Sequence, residues 1–400
     1  MRATKVRRAW WLVAMLALMP SLAFGQGAEG YAPPSWQSPF PLGSTRPEEG
    51  GLFAFTSFDL YHVNNPLKRQ TVAVSGFRIL DNSLAADGFL AGAFVGPGDE
   101  RLNTQSLRND LAMQPGFTVG LGWKFRDGSS IELSWMYLRD AEYSDGATLL
   151  PQHGLVGTDL ARTFLYADFF NLPLEYSGPP NKVEGASPFG VFGLWNGASV
   201  MTQEFRTRFQ RYELSYKWDV IDEEYFRMKG IIGPRFSWFW DGYRLRSINY
   251  SVDGSGGGGI DQGLYSNVTS NRMYGIHAGV QCDQYLGHGF SCITEGQAAA
   301  YMNIVKERVK IETGERFGGL PESKYARTEF TFVPELQGSI GLMWFPTENM
   351  QIFAKAQGMV FFNTLTAPRP VSFDYLRPRP TYESTIRTLL GLEFGASIHF

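Results

Sequence analysis

Reactive side chains are sparse in this chain: five histidines and two cysteines among 400 residues. His62 and His153 fall in stretches expected to be loops, His288 in a short turn and His399 beside the C-terminus, while His277 sits among alternating residues on their polar side. No Gly-x-Ser-x-Gly element offers a nucleophilic serine, and no His-Glu-x-x-His pair offers zinc ligands. The glycine run at 254–259 lacks the Lys-Ser/Thr that a phosphate loop requires. No enzyme, metal or cofactor is expected. A different chemistry recurs: Lys124, Glu132, Arg211, Glu213, Lys217, Asp219, Arg227, Lys229, Arg235, Glu335, Lys355, Arg387 and Glu393 each alternate with large apolar residues. Charges that share one side of a strand while aromatics fill the other suit a polar bore whose outside is greasy. Two uses follow. The bore is a narrow water-filled channel for small hydrophilic solutes, or ion pairs and loops close it and the long loops bind another envelope component. Arg369, Arg377, Arg379 and Arg387 would draw anions to a mouth, or form a solvated loop face.

The elements that must carry these charges are strands. Leu390, Leu392, Phe394, Ala396, Ile398 and Phe400 alternate with Gly391, Glu393, Gly395, Ser397 and His399. Successive strand side chains point to opposite faces, so this last segment has one apolar and one polar side. Phe394, Ile398 and Phe400 then form a C-terminal insertion signal of the kind barrel-insertion machinery reads. Phe117–Phe125 and Ile131–Tyr137 form a hairpin about Asp127-Gly128. Further hairpins fall at 211–241, 274–294 and 329–357, and expected strands at 51–61, 70–80 and 88–95 precede them. Connections alternate short (126–129, 221–224, 286–289, 346–349) with long (140–206, 243–270, 303–326, 363–385), the habit of outer-membrane barrels. Trp123, Trp218, Tyr285 and Trp344 precede short turns; Trp135, Tyr137, Tyr212, Trp238 and Trp240 lie toward long loops. They are expected to form two aromatic girdles. The expected fold is an all-β, antiparallel up-and-down transmembrane barrel of about 12 strands, with 10 as the alternative. Pro234 and Pro334 fall inside strands and predict a bulge at each. Cys282 and Cys292 share a parity across a turn near Gly287, which predicts a disulfide in an oxidising compartment; the alternative is two buried thiols.

Residues 1–25 read as a cleaved signal peptide: Arg2, Lys5, Arg7 and Arg8 precede an apolar run too short to span a bilayer as a helix, then Ala23-Phe24-Gly25. Its removal takes the formal charge from −3 to −7. Residues 26–50 are a Pro- and Ser-rich lead-in, and 51–400 form the barrel. Lys+Arg 36 against Asp+Glu 39 gives no bulk charge for nucleic acid. The expected partners are outer-membrane lipids, the insertion machinery and small polar solutes, with a homo-oligomer possible.

Pro115-Gly116-Phe117 through Gly122-Trp123, Ser270-Asn271-Arg272-Met273-Tyr274-Gly275, and Val333-Pro334-Glu335-Leu336 occur in order across most of the chain. In these the sequence resembles the beta-barrel porin-7 family of outer-membrane proteins. That resemblance implies a porin-like barrel in the outer membrane of a two-membrane envelope, and supplies no catalytic residues. The aromatic-rich connection before Arg206 and the glycine run at 254–259 depart from the family pattern.

Overall fold

The computed structural model describes residues 50–78, 92–109, 111–149, 163–172, 194–223, 225–250, 256–313, 323–347 and 349–400. Residues 1–49, with the expected leader and most of the lead-in, lie outside them, as does the weak strand expected near Phe89.

A bilayer core offers backbone groups no water, so a strand there must pair on both sides. Ten long strands meet that demand: β1 (Gly51–Val63), β2 (Gln114–Lys124), β3 (Ser130–Thr148), β4 (Val200–Asp222), β5 (Phe226–Ile248), β6 (Gln262–Gly287), β7 (Phe290–Thr313), β8 (Ser323–Thr347), β9 (Met350–Thr366) and β10 (Glu383–His399). Each pairs antiparallel with the next, and β1 pairs β10 from Phe53↔His399 to Val63↔Leu389. The sheet is a closed ring without a free edge. Of the two expected strand counts, the lower holds. The segment expected as a second wall strand forms Thr71–Ser75 and Phe77–Arg78 instead. These pair with Glu100–Asn103, Leu165–Tyr166 and Phe94–Val95 in two small sheets away from the wall. Consecutive Val72 and Ala73 are both buried, so this segment lacks the one greasy and one wet face of a wall strand.

Strands β4 to β8 run 23 to 26 residues, whereas about 9–11 cross a bilayer. The excess lies toward the long connections, which are correspondingly shorter than their charges suggest. The first is expected at 140–206 and occupies only 149–199. Outward Asp140, Glu142 and Arg206 read as loop in sequence; all three lie within the long strands, Glu142 paired with Arg206 and Asp140 at the irregularity beside Arg208.

No register shift occurs at either Pro234 or Pro334, contrary to the expected bulges. Instead the ladder lapses on one side: between the pairs Glu213↔Arg235 and Tyr216↔Ile232, β4 and β5 form none, and the β8–β9 ladder stops at Glu335↔Phe361. A missing N–H is harmless where no partner carbonyl faces it. The expected disulfide is absent too. The chain turns at His288-Gly289, with Gly287 opposite Phe290, and not about Gly287; Cys282 therefore stands opposite Thr294 and Cys292 opposite Gln284, and both thiols are free. Cysteines on such a diagonal stand about 7–8 Å apart, beyond bridging reach. Denatured, unreduced protein is therefore expected to gain two alkyl groups on treatment with iodoacetamide, read by intact mass; a gain of none would restore the bridge.

Candidate functional site in the barrel lumen

All thirteen charges read from the alternation stand on the inward side of the wall and are buried or half-buried. The structure sorts them into separate groups. At the short-turn end, Arg227 lies 2.7 Å from Asp222 and 4.0 Å from Asp219, and Lys229 lies 3.8 Å from Asp219, with Lys124 buried at the same end. Lys217 pairs with Glu132 across β3 and β4 at 2.8 Å. Lys355 lies over the Phe353 ring at 4.6 Å, opposite Glu393 on the next strand.

Nearer mid-barrel, two guanidinium groups and two carboxylates share one cluster. Arg235 pairs with Glu213 at 2.6 Å and with Glu335 at 3.5 Å. Arg211 donates to Glu335 and, at 2.7 Å, to Gln337. Gln297 accepts from Arg235, and the Tyr301 hydroxyl donates to Glu335. Side chains of Arg235 and Glu335 are wholly buried. Every strand here offers inward residues at alternate positions, and their register alone brings β4, β5, β7 and β8 together at this level. Buried charges persist only when paired, and here the two signs balance.

Above this cluster the bore turns apolar. Tyr61, Val63, Met136, Leu138, Phe209, Phe239, Met273, Ala299, Tyr301, Val333, Met359, Phe361 and Leu389 form one buried set, drawn from every strand except β2. Phe209 and Phe239 lie 4.7 Å apart, and Phe361 meets Phe239 edge-on at 5.0 Å. Arg211 faces Phe209 and Phe361 from one group of charges, and Arg387, paired with Asp241, faces Phe239 from another. The mouth is filled as well. Phe169 packs on Trp195 at 4.8 Å and on Phe373 at 5.4 Å, within a second apolar set that also includes Leu165, Ala198, Tyr265 and Val371. The segment 367–375 is tied inside by Gln70, which exchanges two hydrogen bonds with the Val371 backbone, and by Tyr265 and Asn267, both donating to the Pro370 carbonyl.

Sequence reasoning named the charges, read Asp241 on the polar side of its strand without counting it among them, and missed Asp59, Asp283, Glu295 and Glu307, which share their inward parity. It did not find the apolar belt, because Phe209, Phe239 and Phe361 stand at inward positions where polar residues were sought. Ser215, His277 and Glu213 also meet, but both oxygens face Nε2 (3.1 and 3.3 Å), and Nδ1 has no partner among the described residues. A nucleophile relay needs one ring nitrogen for each neighbour.

On the outside, Trp123, Tyr212, Trp218 and Trp344 are exposed at the wall. Trp135 stacks on Tyr212 at 6.0 Å, and Tyr137 leans on Phe117 at 5.7 Å. Trp238 donates to Ser270, and Trp240 lies under Arg208 at 5.7 Å. Tyr285 differs from expectation: it has the inward parity of Asp283, is half-buried, and accepts from the Gly289 amide while facing Tyr225. Phe394, Ile398 and Phe400 face outward, and the Phe400 amide donates to Leu52 at 2.8 Å.

The family model described as Legionella pneumophila major outer membrane protein precursor matches residues 79–375. The chain belongs to that family. It is an outer-membrane β-barrel, as the porin-7 resemblance also implied, although the matching family is the Legionella one. No curated protein matches this Legionella family member. Among solved structures it is similar to the outer membrane protease OmpT from Escherichia coli (11% identity, 88% of this chain and 97% of that one, TM-score 0.41). It is also similar to the toluene transporter TodX of P. putida (7%, 90% and 93%, 0.23) and to AlkL in lipid bilayers (10%, 93% and 96%, 0.25). At these values no residue role passes from them to the Legionella family barrel.

Proposed function

We propose that the barrel, as folded, does not conduct, and that it serves the envelope as a structural and surface-interaction protein. The observation that carries this reading is the apolar belt across the bore. Phe209, Phe239 and Phe361 pack ring on ring where a porin would hold water, and the two guanidinium groups that face these rings, Arg211 and Arg387, are each neutralised by a carboxylate. An ion entering would shed its hydration without finding ligands, and that desolvation is costly. The parts left to act are the outer lengths of β4 to β8 and the capped mouth. The three carboxyl-terminal outward residues, Phe394, Ile398 and Phe400, are the features offered to the insertion machinery and then to lipid. A catalytic role is not part of this proposal.

Single-channel recording in planar bilayers tests it. Pure, refolded wild-type protein is expected to give no discrete steps, and liposomes carrying it are expected not to swell in graded sugars. Steps, or swelling that falls with sugar size, would replace this reading by passive diffusion of small polar solutes.

A further inference from the structure

The long strands carry outward charges at the outer aromatic rows and beyond them, and these are not distributed evenly. On β3 and β4 they neutralise one another: Arg208 pairs with Asp140 through two hydrogen bonds of 2.7 and 2.8 Å, and Arg206 lies 3.4 Å from Glu142 and against Glu204. The register across β5 to β8 gives a different surface. One row reads Trp238, Arg272, Ile304, Phe330. The next, outward, reads Trp240, Ser270, Lys306, Thr328; then Gly242, Val268, Arg308, Ala326; then Arg244, Ser266, Lys310, Lys324. Six cations therefore rise around a floor of small residues. Adjacent strands lie about 4.8 Å apart and alternate residues about 6.7 Å, so the patch measures roughly 15 by 20 Å. Among the described residues no salt bridge reaches Arg272, Lys306 or Arg308. At the margin Glu312 holds Lys310, and Glu204 stands opposite Arg244.

Height decides the partner. From Phe226 to Trp238 the strand climbs about 30 Å at a barrel's usual tilt, which brings Trp238 to the outer edge of an apolar band about 25 Å tall. The cations begin in its row and continue away from the membrane. We infer that strands β5 to β8 form a binding surface for the phosphorylated head group of an outer-leaflet glycolipid, with Arg272, Lys306 and Arg308 on its phosphates and the acyl chains lying against Ile304, Phe330 and Phe332. Unpaired basic groups at a membrane surface attract anionic head groups, and an arginine presents a planar fork that matches phosphate oxygens.

The test titrates the detergent-solubilised full chain with bisphosphorylated lipid A, with the same lipid stripped of phosphate, and with inorganic phosphate, reading tryptophan fluorescence. The triple variant Arg272→Gln/Lys306→Gln/Arg308→Gln is expected to bind the phosphorylated lipid about 100-fold more weakly. Arg206→Gln/Arg208→Gln, whose arginines are already paired, is expected to stay within about threefold of wild type. Both variants are first shown to retain the heat-modifiable mobility of a folded barrel. Equal binding of the dephosphorylated lipid, or an unchanged triple variant, would overturn the inference. So would full competition by inorganic phosphate, which would make this a small-anion site.

Discussion

Arg235→Met is expected to destabilise the folded barrel by about 3–5 kcal/mol, read by urea unfolding in lipid vesicles. The guanidinium is wholly buried and sits between Glu213 and Glu335. Methionine fills much of the same space, so packing changes little; what changes is that two buried carboxylates lose a shared cation. Glu335 keeps Arg211 and Tyr301, whereas Glu213 keeps only His277 and Ser215. The larger part of the loss is therefore assigned to Glu213. Adding Glu213→Gln to Arg235→Met is expected to recover at least half of it, because an amide tolerates burial that a carboxylate does not. Failure of the second substitution to restore stability would mean that the cluster is loosely hydrated and does not seal the bore.

Phe361→Ala is expected to cost a similar amount, about 3–5 kcal/mol, for a different reason. Its ring touches Phe209, Phe239 and Tyr301 and lies under Arg211 at 5.8 Å. Truncation leaves a cavity in a bore whose walls are held by a closed ladder and cannot collapse inward. Phe361→Leu, which refills most of that volume, is expected to return more than half of the stability. The two losses, Arg235→Met and Phe361→Ala, are expected not to add, since Arg211 contacts both the ring and Glu335. Strict additivity would show that the belt and the ion cluster are independent. A loss below about 1 kcal/mol for Phe361→Ala would show that the belt does not fill the lumen.

Much of this was legible in the residues alone. In β10 a period of two separates Leu390, Leu392 and Phe394 from Gly391, Glu393 and Gly395, and that period is a local property of an extended chain. The same holds for β4, from Tyr212 to Val220. Short turns were readable because Asp127-Gly128 and Pro346–Asn349 carry their own geometry. The strand ends were not, since a charged outward residue looks alike in a loop and on a wall above the membrane.

Parity, therefore, came from sequence: which residues face lipid and which face the bore follows from neighbours one position apart, and thirteen inward charges could be named on that basis. Partners did not. Arg211 meets Glu335 across 124 positions, and Cys282 misses Cys292 because the hairpin turns at His288-Gly289 and not about Gly287. Closing the ring decides such meetings, as do the strand count and the path of segments that leave the wall. An alternating pattern says nothing about what stands on the far side of the bore, and the meeting of Phe209, Phe239 and Phe361 is visible only there.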